Sequence, residues 1–405
     1  MLTTESLGWL VSASGQAAVT EAEALQPSPE TFLHVSQELA RRWPERLARL
    51  AVDQALLRRR AAAKFPRAGE MTFLREALEQ ATGHRVAAYH AARLADLSPC
   101  FDLGCGIGGD ALALADHGSV VAIDRDQLRL RVLQANASAL GLDARIAPLL
   151  GDLLHPAWHM PRKAGAFADP GRRRGGRRVR DSSRYDPPLE SLVRIAGSVK
   201  GMGIKVSPAI DRRETDGLGA EVEFVSDDGE LKECVLWFGA LRSATTRATL
   251  LPGGSTLTGP EAREKPASPV RAYLYEPDPA ILRAGLVRRL GETLGADQVD
   301  PALALLTADA RLMTPFADGY RVVDVLPFSE KGLRLELRRR GVGRVTLKKR
   351  GSAVDTDALG RRLRLTGDGE ATVLLTRLLG RPLAILVEPM KYPAAAAPQA
   401  CAELL

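Results

Sequence analysis

Apolar residues recur at three- and four-residue spacing through TFLHVSQELARRWPERLARLAVDQALLRRRAAAKFP (31–66), with Arg, Glu and Gln between them. That period predicts amphipathic helices. Pro44 marks a helix boundary or first turn. Pro66 and Gly69 interrupt the pattern, and FLREALEQATGHRVAAYHAARLA (73–95) predicts one or two more helices. From 99 to about 240 short β-like runs alternate with helical ones. CFDL, SVVAID (119–124), ARIAPLL, GAFAD (165–169) and SVKGMGIKVSP (198–208) read as strands, and RLRVLQANASALGL (129–142) as a helix ending at a Gly. AEVEFVS and KECVLWFG read as an antiparallel hairpin. Such alternation predicts βαβ units in a mostly parallel sheet, with ligands at the strand C-termini.

LPGGSTLTGPEAREKPASPV (251–270) is rich in Gly, Pro, Ser and Thr and reads as a linker. Beyond it, YLYEPDPAILRAGLVRRLG predicts a strand turning into a helix, with Pro279 near the helix start. YRVVDVLPF (320–328), LRLELRRR (333–340) and VGRVTLKKRG (342–351) read as strands, TDALGRRLRL as a helix, and ATVLLTRL with RPLAILVEP as a final hairpin. The expected organisation is a helical region at 1–97, an α/β domain at 98–250, a linker at 251–270, a second α/β domain at 271–393 and an alanine-rich tail at 394–405.

The 405 residues are 45% hydrophobic and 26% charged, enough apolar material for more than one core. No run reaches the roughly 18 apolar residues of a membrane span, and the N-terminus lacks the basic start of a signal peptide. The cysteines Cys100, Cys105, Cys234 and Cys401 form no C-x-x-C pair, and no His pair has zinc spacing. Reduced thiols, a cytoplasmic location and no metal are expected. Net charge is +7, a modest excess. It is concentrated: RRRGGRRVR (172–180) holds six arginines in nine residues. Such a run is either a solvated face or a strip for nucleic-acid phosphates. Carboxylates at Asp181, Asp186 and Glu190 offer it internal partners as well.

The densest chemistry lies in FDLGCGIGGDALALA (101–115), where four glycines fall within six residues between a strand and a helix. Without Cβ atoms, backbone N–H groups can approach a ligand closely. Gly104, Gly106 and Gly109 satisfy the dinucleotide pattern G-x-G-x-x-G. Gly104, Gly106 and Gly108 satisfy D-x-G-x-G-x-G from Asp102. A carboxylate at Asp102 suits an ammonium better than a pyrophosphate. Asp124, ending the next strand 20 residues after Gly104, can accept both hydroxyls of a ribose. Asp152, in the GDLL turn, is placed either to accept from an adenine amino group or to cap a helix. Asp169-Pro170 ends the fourth strand, as a turn or as part of a site.

The series DLGCGIGGDALALA, VVAIDRD, QANASALGL, GD and DP resembles class I S-adenosylmethionine-dependent methyltransferases. The Gly-Ile-Gly-Gly-Asp form and the Asn136-Ala137 helix resemble the trimethylguanosine synthase branch and its RNA-modifying relatives, as does the upstream EQATGHRVAAYHAARL. YLYEPDPAILRAGLV, VLPF and VTLKKRG resemble a C-terminal THUMP-like domain. The resemblance implies a Rossmann-like seven-stranded methyltransferase sheet between an N-terminal helical region and a C-terminal α/β THUMP-like domain. It implies S-adenosylmethionine as cofactor. Asp102, Gly104, Gly106 and Gly108 would line its methionine end, Asp124 would hold the ribose, and Arg125 and Asp152 would flank the adenine. Asp169 and Pro170 would face the methyl acceptor, with RNA as partner.

Methyl transfer from a sulfonium is an in-line displacement, so the protein mainly positions the nucleophile. In amino-methyltransferases an Asp/Asn-Pro-Pro-aromatic loop aims the amine and stacks on the base. Here the loop is Asp169-Pro170-Gly171-Arg172: the second proline and the aromatic are missing. Arg172 or Arg173 would supply the stacking plane, or Tyr185 would stack, although packing is the simpler role for that ring; Arg174 with the rest of the run at 172–180 would bind phosphates. His84 and His90 read as surface or packed residues and Cys105 as small filler. The leading expectation is methylation of a base amine of RNA. The alternatives are an RNA-binding protein that keeps the cofactor fold without catalysis, a methyltransferase with a protein or small-molecule acceptor, and a nicotinamide-dependent oxidoreductase. Oligomeric state is not legible.

Overall fold

The computed structural model describes residues 2–155, 158–171, 173–174, 177–178 and 181–390, with the backbone alone at 173–174 and 177–178. The alanine-rich tail lies outside the described residues. Two compact units emerge: Met1–Val222 with Glu233–Ser243, and Glu223–Lys232 with the chain from Ala244 onward.

The first unit opens with α1 (Thr4–Leu10), α2 (Ala13–Ala24), α3 (Phe32–Leu39), α4 (Glu45–Ala61), α5 (Arg75–Gln80) and α6 (His84–Leu94). Pro44 is the N-cap of α4, its fixed φ suiting the entry to a helix. Leu10, Val19, Val35, Leu39 and Val52 form a small core among α1–α4. The opposite side of this region joins the main core, where Leu57, Phe73 and Leu94 share one cluster with Val120, Leu133 and Trp237. The helical region is thus packed on the sheet rather than separate from it.

That sheet follows through β1 (Cys100–Leu103), α7 (Gly109–Leu114), β2 (Val120–Asp124), α8 (Gln127–Leu140), β3 (Ile146–Leu150), β4 (Gly165–Ala168), a short ribbon of β5 (Arg173–Arg174) and β6 (Arg177–Arg178), α9 (Leu189–Ala196), β7 (Gly201–Val206), α10 (Arg212–Thr215) and the hairpin β8 (Glu221–Asp227) and β9 (Glu230–Gly239). The order is β3-β2-β1-β4-β7-β9, then β8. The first five strands are parallel, and β9 runs antiparallel to β7. All seven expected strands are present. Chain order reverses between β1 and β4, the crevice where open α/β sheets bind ligands. Helix α8 stops at Gly141, left-handed at φ 74°.

In the second unit the tip of the β8–β9 hairpin is joined by β10 (Thr246–Leu251) and β11 (Ser255–Thr258). The stretch 251–270, expected as a linker, therefore carries a strand paired antiparallel with β10, and its irregular part starts only at Gly259. A seven-stranded sheet follows, with β12 (Tyr273–Pro277), α11 (Pro279–Ala284), α12 (Val287–Leu294), β13 (Asp297–Gln298), β14 (Leu306–Ala308), β15 (Ala317–Pro327), α13 (Glu330–Arg339), β16 (Val342–Arg350), α14 (Thr356–Leu363), β17 (Gly369–Leu378) and β18 (Arg381–Pro389). No helix is long and apolar enough to cross a membrane among the described residues.

A further element differs from expectation. LRLELRRR, read as a strand from its alternation, is helix α13. Alternate leucines at 333, 335 and 337 also place Leu333 and Leu337 one helical turn apart. Those two are buried, whereas Leu335 is 70% exposed. The Ser329 side chain accepts from the Gly332 N–H and starts the helix. Leu337→Ala should therefore cost about 2–5 kcal/mol, and Leu335→Ala less than about 0.5, by denaturant unfolding. Equal losses would restore the strand.

Candidate active site

The first four parallel strands end side by side, and each delivers a carboxylate: Asp102 in β1, Asp124 in β2, Asp152 two residues after β3 and Asp169 directly after β4. Between β1 and α7 the chain turns through Gly104 (φ 88°), Gly106 (φ 56°) and Gly108 (φ 100°). Two of these positions show different needs. At Gly108 the left-handed φ itself favours glycine, and a Cβ there would also crowd the end of the Leu133 side chain. A Cβ on Gly106 would meet nothing within 4 Å among the described residues, so that backbone borders open space where a ligand can approach.

Asp124 closes this loop. Its Oδ2 accepts the Gly106 N–H at 2.9 Å and its Oδ1 accepts the Asp126 N–H at 2.8 Å. Each oxygen retains a second lone pair. Asn136, fully buried on α8, accepts the Thr72 N–H at 2.7 Å and donates to Thr72 O and Ile107 O. It fixes the glycine loop from behind.

Asp102 is buried, and among the described residues its Oδ2 lacks a hydrogen-bond partner. Burial, then the charges of Asp110, Asp169 and Asp124, push its carboxyl well above the usual range. A native orphan of this kind marks the place of a missing donor.

The outer residues are already engaged. Asp152 accepts the Leu154 N–H at 2.9 Å and pairs with His155 at 3.1 Å, which holds its carboxyl below the usual range. It caps its own turn, with further lone pairs left for a ligand. Arg125 pairs with Asp186 at 2.7 Å. Asp186 also exchanges two backbone hydrogen bonds with Gly171, closing the base of the arginine loop.

Tyr185 corrects an expectation. It is 3% exposed, and its hydroxyl accepts the Ser207 N–H at 3.1 Å. The ring packs in the core and is not offered for stacking. Arg172 lies outside the described residues. Arg173 and Arg174 are placed by backbone only, in β5 opposite Arg178 and Arg177. Pro170 follows Asp169 at the mouth of β4, where the Asp169 carbonyl lies 3.4 Å from a Cβ built on Gly104. The Asp169-Pro170 loop and the glycine loop are therefore direct neighbours.

Sequence reasoning missed the groups that hold Asp169. Lys205, in the all-buried strand β7, donates to Asp169 Oδ2 at 2.9 Å and to Thr82 Oγ1 at 3.0 Å, and lies 3.4 Å from Glu233 Oε2. Thr82 Oγ1 donates to Asp110 Oδ2 at 2.7 Å. His90 Nδ1 bonds Asp110 Oδ1 at 2.8 Å, and its Nε2 bonds Glu233. Burial disfavours charge on His90, but Glu233 and Asp110 outweigh it and raise its pKa to about 10. Burial likewise opposes charge on Glu233, yet His90 and Lys205 bring it down to about 2. Burial is also outweighed at Lys205, by Asp169, Glu233 and Asp110, and its pKa rises above the ordinary value. His90 is thus an imidazolium inside the core, stacked on Phe167 with centroids 4.4 Å apart.

A family model described as RNA cap guanine-N2 methyltransferase matches residues 98–184, and a THUMP domain-like model matches 317–389. A domain of unknown function matches 3–61. Uncharacterized S-adenosylmethionine-dependent methyltransferases of Mycobacterium tuberculosis strains CDC 1551 / Oshkosh and ATCC 25618 / H37Rv are each 36% identical over 339 residues, covering 81% of this chain and 92% of theirs. The crystal structure of a proposed methyltransferase from Porphyromonas gingivalis W83 shares the fold with a TM-score of 0.73 at 21% identity, covering 93% of this chain and 98% of that one. With glycine loop, strand-end carboxylates and sheet order in agreement, the chain belongs to the S-adenosylmethionine-dependent methyltransferases.

Proposed function

We propose that this enzyme methylates a base amine of RNA. The observation that carries the reading is Asp169. It sits at the end of β4 beside the glycine loop, with one carboxylate oxygen paired to Lys205 and the carboxylate 22% exposed. An ionised carboxylate only accepts hydrogen bonds. At that position it can take an N–H of an exocyclic amine and turn the nitrogen lone pair toward the methyl group. Pro170 stiffens the loop at this point.

The cofactor fits the residues present. Its methionine ammonium answers the donor that Asp102 Oδ2 lacks, and the open backbone at Gly106, with Gly104 and Gly108, admits the methionine end. Asp124 would accept from the ribose hydroxyls, and Arg125 and Asp152 would flank the adenine. When bound, the sulfonium supplies an electrophilic methyl group and a neutral leaving group. The chain's own residues orient the acceptor and exclude water.

Two further features support RNA. The matched region 98–184 includes the acceptor loop and the arginine ribbon, where Arg172, Arg173 and Arg174 would meet phosphates. Residues 317–389 carry 15 Lys and Arg against 9 Asp and Glu, most of the chain's net +7. Labelled methyl groups from S-adenosylmethionine should therefore enter unmodified RNA. Asp169→Ala should lower the rate on the order of 100-fold with cofactor affinity retained. Label found only in protein or small molecules would overturn the RNA reading.

A further inference from the structure

We propose that Lys205 is a positioning residue for methyl transfer, acting through Asp169. The inference rests on the role of Asp169 given above and adds to it the group that sets the aim. A lone carboxylate on a loop can rotate and offer either oxygen. Here the ammonium of Lys205 pins Oδ2 at 2.9 Å, so the acceptor meets a fixed Oδ1.

The geometry separates this function from general fold stability. Lys205, Glu233, His90, Asp110 and Thr82 form a closed ring of hydrogen bonds and ion pairs. Asp169 is the branch that leaves the ring. Side-chain exposure is 7% for Lys205, 2% for Glu233, 7% for Asp110 and 0% for His90, against 22% for Asp169. The ring is sealed, and among the described residues Asp169 carries its orientation out to the cleft.

The ring also reaches the cofactor side. Asp110 lies in the first turn of α7, directly after the glycine loop. A Cβ on Gly109 would come within 3.0 Å of the Thr82 backbone nitrogen, so the Thr82 segment packs on that loop. One set of buried groups therefore fixes both the glycine loop and the acceptor carboxylate. In-line transfer depends on their mutual register to within a fraction of an ångström.

The test is a double-mutant cycle on Lys205→Met and Asp169→Asn in the full chain. Labelled S-adenosylmethionine is offered to RNA, protein and small-molecule fractions, and kcat, KM and cofactor affinity are measured on whichever accepts label. Lys205→Met should lower kcat on the order of 100-fold, with cofactor Kd changed less than about three-fold. Lys205→Arg, which keeps the charge, should recover part of the loss. In the Asp169→Asn background Lys205→Met should cost less than about three-fold more.

Equal losses in both backgrounds would make Lys205 structural and overturn the proposal, leaving the RNA reading intact. Coupling on a protein or small-molecule acceptor would support Lys205 and overturn RNA. No label from the wild type in any fraction would overturn both. Should Lys205→Met fail to fold, Lys205→Arg and Lys205→Gln carry the same cycle. Arginine activity no better than that of glutamine would count against positioning.

Discussion

Asp102→Asn should make the ligand-free protein more heat-stable while weakening S-adenosylmethionine binding on the order of 100-fold. The carboxyl is buried, and its Oδ2 has no partner among the described residues. Three neighbouring carboxylates, at Asp110, Asp169 and Asp124, add their charge to the cost of burial. An unsatisfied buried polar atom costs about 1–3 kcal/mol. A neutral amide of the same shape relieves the repulsion and can donate to those neighbours. The same change removes the partner for the cofactor's ammonium. A charge-assisted hydrogen bond contributes about 1.5–3 kcal/mol, which is roughly 10- to 100-fold in affinity. Calorimetry gives both numbers on one sample. Unchanged affinity would remove Asp102 from the cofactor site, and a lower Tm would show that its charge is compensated in the free protein. The wild type carries a further signature. An ammonium pairs with the ionised carboxylate, and burial with the neighbouring charges raises this carboxyl well above its ordinary range, so affinity should rise as pH climbs out of the acid range.

The glycine loop and the strand-end acids, one half of the candidate site, were legible because their causes are local. Glycines with positive φ and acids at strand ends announce themselves in a single chain. The other half is not local. His90 and Glu233 stand 143 residues apart, and Lys205 lies 123 residues from Thr82. Within GMGIKVSP the lysine is one polar residue in an apolar strand, and its six-residue strand is buried throughout. That is the one signal available: a buried lysine needs a charged partner, but the sequence does not say which. Tyr185 went astray for the complementary reason. Proximity to Asp169-Pro170 in the sequence favours a site role, while the backbone N–H that its hydroxyl holds, at Ser207, becomes visible only once the chain folds. The α13 segment shows a third limit. Leucines at alternate positions satisfy a strand and, at every second leucine, a helix face. The Ser329 cap and the burial of Leu333 and Leu337 against Leu359, Leu363 and Val373 decide between them.

His90→Ala should destabilise the enzyme by about 3–5 kcal/mol at neutral pH, a Tm decrease on the order of 10 °C. Removal of the ring leaves Asp110 and Glu233 buried without their shared cation, and the cavity cannot restore it. The sign of the pH dependence follows from the direction of each shift. The His90 pKa is about 10 in the folded protein, against 6.5 ordinarily, so its contribution is full below about pH 6.5 and is lost as pH rises through about 10. Between those limits the wild type should lose roughly 1.4 kcal/mol per pH unit from this group. Glu233, lowered to about 2, contributes above about pH 4.5 and fails as pH falls through about 2. Lys205, raised by Asp169, Glu233 and Asp110, extends the alkaline loss beyond the range of His90. Denaturant unfolding between pH 7 and 10 should show a steep decline for the wild type and a shallower one for His90→Gln, which can bridge both carboxylates only as a neutral group. Parallel curves for the two proteins would mean that His90 is neutral in the fold. The ring would then be held by Lys205 alone, with Asp110 and Glu233 drawing on one cation instead of two, and the rigidity that it passes to Asp169 would have to come from the packing of Phe167 and Trp237 around the imidazole.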